Sequence, residues 1–134
     1  MRSIGFVVVR TAVVLWASPW TFVGLALGLV GVLTGGGARR GPGIVEFHGG
    51  AVRWLLLRMP AEPFAMTLGH TVLGLTEASL DIAQPHELVH VRQYERWGPL
   101  FIPAYLGCWF VLWLKGKDGY RDNPFEREAY DRHP

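Results

Sequence analysis

The chain has a single cysteine, Cys108, so no disulfide can form within it, and its apolar neighbours mark a buried thiol rather than a nucleophile. Charge is scarce as well. Thirteen Lys and Arg against eleven Asp and Glu leave a formal net charge of +2, and the only adjacent arginines are Arg39 and Arg40. No basic run interleaved with aromatics exists, so the pattern used by single-strand binders is missing and nucleic acid is not an expected partner. There is no internal repeat and no low-complexity tract. At 134 residues the chain has room for one domain, plus whatever lies in a membrane.

What the chain does have is apolar length. Half the residues are hydrophobic, and between residues 4 and 34 only Arg10 is charged. About 20 apolar residues suffice to cross a bilayer. Arg10 interrupts the core that a signal peptide would need, and no small-x-small cleavage site follows before Trp20, which favours a retained anchor over residues 1–35. Ser18-Pro19 reads as an N-cap followed by proline in the first helical position. The anchor is therefore one kinked spanning helix or two short helices folded back as a hairpin. Arg39, Arg40, Arg53 and Arg58 after it, against Arg2 and Arg10 before it, favour a cytoplasmic soluble part.

Beyond the anchor the pattern predicts an α+β domain over residues 36–134. Gly35-Gly36-Gly37 ends the apolar run, and residues 38–43 read as a flexible basic loop. Residues 44–47 predict a strand, and His48-Gly49-Gly50 a turn. Residues 51–59 predict a second strand, Pro60-Ala61-Glu62-Pro63 a break, and residues 65–73 a third strand despite Gly69. These three make a short antiparallel meander. A helix then starts near Gln84-Pro85 and ends at Trp97, where Gly98-Pro99 stops it. Residues 99–114 carry no charge, are interrupted by Pro103 and Gly107, and are closed by Lys115 and Lys117, as snorkelling anchors would close a membrane-associated helix. A last short helix runs from Asp122-Asn123-Pro124 to Tyr130.

The chemistry concentrates in His86-Glu87-Leu88-Val89-His90, a match to the HExxH zinc motif. On a helix, residues four apart share a face, so both imidazoles can grip one Zn²⁺ while Glu87 aims its carboxylate at a metal-bound water as general base. Gln93 continues the same stripe and suits the orientation of an imidazole. A catalytic zinc takes three protein ligands, so another carboxylate or imidazole must come from elsewhere. Glu126 and Glu128 on the last helix are the best placed. With Asn123 as N-cap, Glu126 also falls where a glutamate commonly caps the backbone. His70 reads as a hydrogen-bonded structural residue, while His48 and His133 sit in a turn and at the tail end.

The words Thr67-Leu68-Gly69-His70, His86 through Gln93, and Asn123-Pro124-Phe125-Glu126-Arg127-Glu128-Ala129 together resemble small bacterial membrane-associated gluzincin-like (HExxH…E) zinc metallopeptidases. The resemblance covers roughly residues 65 to 130. It implies that Glu126, with Ala129 in register, is the third ligand; the class's following Asp falls on Tyr130, with Asp131 one residue off. It also implies hydrolysis of a peptide or protein substrate by zinc-activated water, with an extended substrate pairing along the strand at Leu68–Leu73. Tyr105, Tyr120, Tyr130 and His70 are the eligible oxyanion donors. The implied setting is membrane lipid, in a bacterial cytoplasmic membrane. A non-catalytic zinc-binding membrane protein, using the site structurally or to hold a partner, is the second reading.

One consequence is topological. If Glu126 meets His86 and His90, residues 99–114 cannot cross the membrane once and stay across. They reach about 24 Å against a core of about 30 Å. They are expected to form an embedded or re-entrant helix with the site near the membrane surface.

Overall fold

The N-terminal apolar run forms one helix, α1 (Ile4–Leu33), in the computed structural model, which describes residues 3–59 and 63–132. Ser3 caps it by accepting the Phe6 N–H at 3.2 Å. Pro19 lies inside the helix, so the chain does not turn back there, and Ser18 caps nothing: its hydroxyl donates to the Leu15 carbonyl at 2.7 Å. Ala17, Gly24, Gly28 and Gly31 make the buried face. A Cβ at Gly24 would strike Thr71, and one at Gly28 would enter the Phe47 ring. Small residues thus let the domain close directly onto the helix backbone, while most of the remaining circumference is apolar and exposed.

Strand β1 (Gly37–Gly41) pairs antiparallel with β2 (Ile44–His48), so most of the expected basic loop is strand. Arg39 is drawn across to Glu46 (Nε–Oε1 3.1 Å) and Asp81 (2.8 Å), which explains how a basic segment lies flat on the sheet. The predicted strand at residues 51–59 is instead helix α2 (Gly50–Leu57). Val52 and Leu56, four apart, are its buried pair, so the helical period won over the β-propensity of Val and Trp. The stretch at residues 65–73 is two strands, β3 (Ala65–Leu68) and β4 (Thr71–Gly74). They meet at Gly69, whose φ of +60° and contact with Thr21 leave no room for a side chain.

The strand order is β1-β2-β4-β3, with β2 parallel to β4 and the other two pairs antiparallel. The sheet is therefore mixed, not an antiparallel meander, because the connection through α2 and β3 crosses from β2 before β4 is laid beside it. That leaves β3 at the edge.

Helix α3 (Glu77–Trp97) begins well before Gln84, since Thr76 accepts the Ser79 N–H at 3.0 Å and starts the helix; Pro85 is interior. It ends as expected at Gly98, with φ +56° and the Trp16 ring lying against it. A 3₁₀ turn (Gly98–Leu100) leads into α4 (Phe101–Leu114). Cys108 on α4 is half-buried rather than fully enclosed. Helix α5 (Pro124–Arg132) is opened by Asn123, whose Oδ1 accepts the Phe125 N–H at 3.1 Å. Residues 60–62 of the expected break, Arg2 and His133 lie outside the described residues. Leu56, Leu73, Leu80, Val52 and Val72 fill the interior between α1, the sheet and α3. Among the described residues, two helical stretches are long and apolar enough to cross a membrane: α1 and the continuous Glu77–Leu114 stretch, whose charge-free part begins at Trp97.

Candidate metal centre

His86 and His90 stand one turn apart on α3, and α5 brings Glu126 to them. Glu126 Oε1 lies 2.7 Å from His90 Nε2 and 3.3 Å from His86 Nε2. One ligand atom from each of the three lies within 4.8 Å of the others. Glu126 therefore does not cap its own helix; its carboxylate turns to the imidazoles. The other oxygen, Oε2, accepts the Tyr105 hydroxyl at 2.8 Å, which leaves Oε1 for the shared point.

Gln93 fixes the tautomer of His90. Its amide nitrogen donates to Glu128 Oε1 (2.7 Å) and to the Phe125 carbonyl (2.9 Å), so its Oε1 must be the acceptor facing His90 Nδ1 at 2.8 Å. Nδ1–H is the donor there, and Nε2 points at the site. Glu128, the other ligand candidate, thus anchors Gln93 instead and also pairs with Arg96 at 3.1 Å.

Glu87 is buried beside the imidazoles. Thr67 on β3 donates to its Oε2 at 2.9 Å, and the Tyr94 hydroxyl donates to the Thr67 carbonyl at 2.9 Å, so the edge strand is pinned to α3 beside the carboxylate. Neither role was visible in the sequence. Thr67 lies 20 residues from Glu87, and only the sheet places it there.

The electrostatics follow from burial. Burial pushes the Glu87 carboxyl up, against the pull of His90 and His86. Burial alone would lower His90, but its hydrogen bond to Glu126 and the charges of Glu87 and Glu126 outweigh this and raise it to about 9. Burial likewise opposes ionisation of Glu126, yet its bonds to His86, His90 and Tyr105 and the His90 charge pull it down to about 2. Without a metal, His90 and Glu126 are an ion pair.

Two cavities flank Glu87. One, of about 380 Å³, is apolar and runs from Glu87 and His90 past Met66 and Leu68 to Leu106 and Trp109. The other, of about 540 Å³, is bounded by Ile82, His86, Tyr130 and Arg132. Tyr120 borders both, its hydroxyl 3.3 Å from that of Tyr130, whose ring packs edge-on against His86 at 4.5 Å between centroids. His70 is elsewhere. Its Nε2 lies 2.8 Å from Glu95 Oε2, which Arg10 of α1 also meets at 2.8 Å, and it borders neither cavity.

The donor set suits a metal ion. Two ligands of a tetrahedral zinc, each at about 2.0–2.1 Å, stand about 3.3 Å apart. The His86–Glu126 separation is already 3.3 Å, and the His90–Glu126 contact need open by only about half an ångström from 2.7 Å to reach that spacing. No protein-family model, curated protein or solved structure matches the chain, so what can be said of the site comes from its own geometry.

Proposed function

We propose that this protein is a membrane-bound zinc metallopeptidase of gluzincin type. The observation that carries the reading is the convergence of His86, His90 and Glu126 on one point, with the buried Glu87 beside it and a cavity on either side. Two imidazoles and one carboxylate match a catalytic zinc set with a position left for water. When bound, zinc supplies Lewis acidity and brings the pKa of that water toward about 7.

The chain's own residues do the rest. Glu87, pinned by Thr67, takes the proton from the attacking water and passes it to the leaving amine. Gln93 and Tyr105 hold His90 and Glu126 in place. The substrate pairs with the sheet edge beside Glu87, which is β3 (Ala65–Leu68) rather than the whole 68–73 segment. Among the tyrosines, Tyr105 is committed to Glu126, and Tyr120, bordering both cavities and kept protonated by burial and the Glu126 charge, is the oxyanion donor. A bacterial cytoplasmic membrane is the proposed setting, supported by the two apolar helical stretches and by the sequence words that resemble small bacterial proteins.

Zinc content and peptide hydrolysis test this together. The expected result is one zinc per chain, lost on His86→Ala, His90→Ala or Glu126→Ala, with Glu87→Gln keeping zinc and losing cleavage of a mixed peptide library. Zinc without cleavage by the unaltered chain would leave the non-catalytic zinc-binding reading. No stoichiometric zinc would discard both.

A further inference from the structure

Helix α1 has the length and apolarity of a membrane crossing, yet its packing does not leave it free to make one. Its contacts with the domain begin at Arg10, paired with Glu95 at 2.8 Å, and continue to Gly31, closed on Val52. Those positions are about 32 Å apart at 1.5 Å per residue, against a hydrocarbon core of about 30 Å. An upright α1 would carry the domain into the bilayer. Halfway along, Thr21 accepts the His70 N–H at 2.9 Å, so His70 and Glu95 would sit near the midplane. Gly28 against Phe47 would bring in the part-exposed Arg39 and the exposed Arg40 of the edge strand β1. Charges and sheet edges are not tolerated at that depth facing lipid.

Helix α4 meets the same obstacle. Residues 115–123 fold back along it, with Gly119 closed on the Trp109 ring and Asn123 Nδ2 donating to the Tyr105 carbonyl at 3.1 Å. That return carries Lys115, Lys117, Asp118, Arg121 and Asp122, so α4 cannot be immersed end-on either.

We infer that the protein docks in the plane of a single leaflet, with lipid covering the outer faces of α1 and α4 and neither helix crossing. The outward residues Leu15, Phe22 and Leu29 are 65%, 68% and 57% exposed, part of an apolar face larger than a soluble monomer leaves bare. Its hydroxyls need no water, since Thr11 and Ser18 donate to the carbonyls of Val7 and Leu15. The faces of α1 and α4 approach each other where the Trp16 ring covers Gly98, close to the exposed Trp97 and Leu100. Tryptophans and Lys115 and Lys117 are the side chains that favour the headgroup boundary. Leu106 and Trp109 belong both to the outer surface of α4 and to the apolar cavity beside Glu87, so that cavity opens at the lipid surface.

The test uses the full chain with Cys108→Ser, reconstituted in sealed phosphatidylcholine–phosphatidylglycerol vesicles. Cysteines introduced by Ser3→Cys and Ala38→Cys, beyond the two ends of α1, react with an impermeant maleimide from the same side; reaction from opposite sides overturns the proposal. Spin labels at Leu15, Phe22 and Leu29 report similar, shallow depths. A depth maximum at the helix centre, or labels shielded from lipid by water or a second copy, also overturns it. None of these readouts uses metal or hydrolysis, so docking stands or falls apart from the metallopeptidase reading.

Discussion

Replacing Glu126 by glutamine tests the ion pair at the heart of the site. In the metal-free protein His90 is raised from 6.5 to about 9, with Glu126 supplying both a hydrogen bond and a charge. At about 1.36 kcal/mol per pKa unit, that rise corresponds to about 3 kcal/mol of folded-state preference for the imidazolium. The folded pKa lies above the unfolded one, so the stabilisation is complete below pH 6.5 and is lost as pH rises through about 9. Glu126 has the opposite sign: depressed to about 2 from 4.5, it stabilises above pH 4.5 and stops doing so as pH falls through about 2. Glu126→Gln keeps the shape and removes the charge. Burial, which lowers His90, then faces less opposition, and the imidazole titrates at lower pH. Imidazole NMR titration of chelator-treated protein in detergent reads the shift directly, and denaturant curves at pH 6.5 and 9 read the stability. Should His90 titrate within half a unit in both proteins, the carboxylate is not bonded to it and the shared metal point loses its third donor.

Three other substitutions separate the contributions of neighbouring residues. Gln93→Ala frees Nδ1 of His90 and the Glu128 contact, and weakens zinc binding by about 10- to 100-fold by competition with a chelating dye. Thr67→Val removes the hydrogen bond that lowers Glu87, so the acid limb of the kcat/KM profile moves to higher pH, while denaturation shows a loss of about 1–3 kcal/mol from the unpaired carboxylate oxygen. Gly28→Leu forces a side chain into the Phe47 ring and costs at least about 1–3 kcal/mol, seen as a lower midpoint in thermal unfolding; an unchanged midpoint would mean that α1 is not seated on the sheet.

The meeting of His86, His90 and Glu126 was legible because its parts are local or chemically rare. His86, Glu87 and His90 are fixed by one helical turn, and the carboxylate that must complete them had only Glu126 and Glu128 as well-placed candidates. The Asn123-Pro124 start and the Gly98 stop were equally readable, since each is a backbone requirement expressed in one or two residues. Long-range order was not. Val52 and Trp54 are strand formers, and the burial of Val52 and Leu56 as an i,i+4 pair, with Val52 against Gly31, shows why the helix wins. The parallel β2–β4 pairing depends on a crossover that no short pattern encodes. Arg39 reads as loop charge until Glu46 and Asp81 arrive to neutralise it. Thr67, Tyr94 and Glu128 acquire their roles only through partners 20 to 35 residues away.

The same contacts tie the metal point to the apolar surface. Tyr105 sits on α4, its hydroxyl on Glu126 and its carbonyl on Asn123, the residue that opens α5. Helix α4 is seated on the rest of the domain through Phe101, packed on Tyr94 at 4.1 Å between centroids, through Ile102 and through this tyrosine. Beyond Leu106 most of its surface is exposed, apart from the side closed by Gly119 on Trp109, so what covers that surface bears on where Tyr105 stands. A shift of α4 would move the partner of Glu126 Oε2 and the wall of the 380 Å³ cavity together. On the proposed reading Glu126 depends on a helix whose outer surface lipid covers, and zinc affinity should fall when detergent replaces the bilayer, with His86 and His90 themselves unaltered.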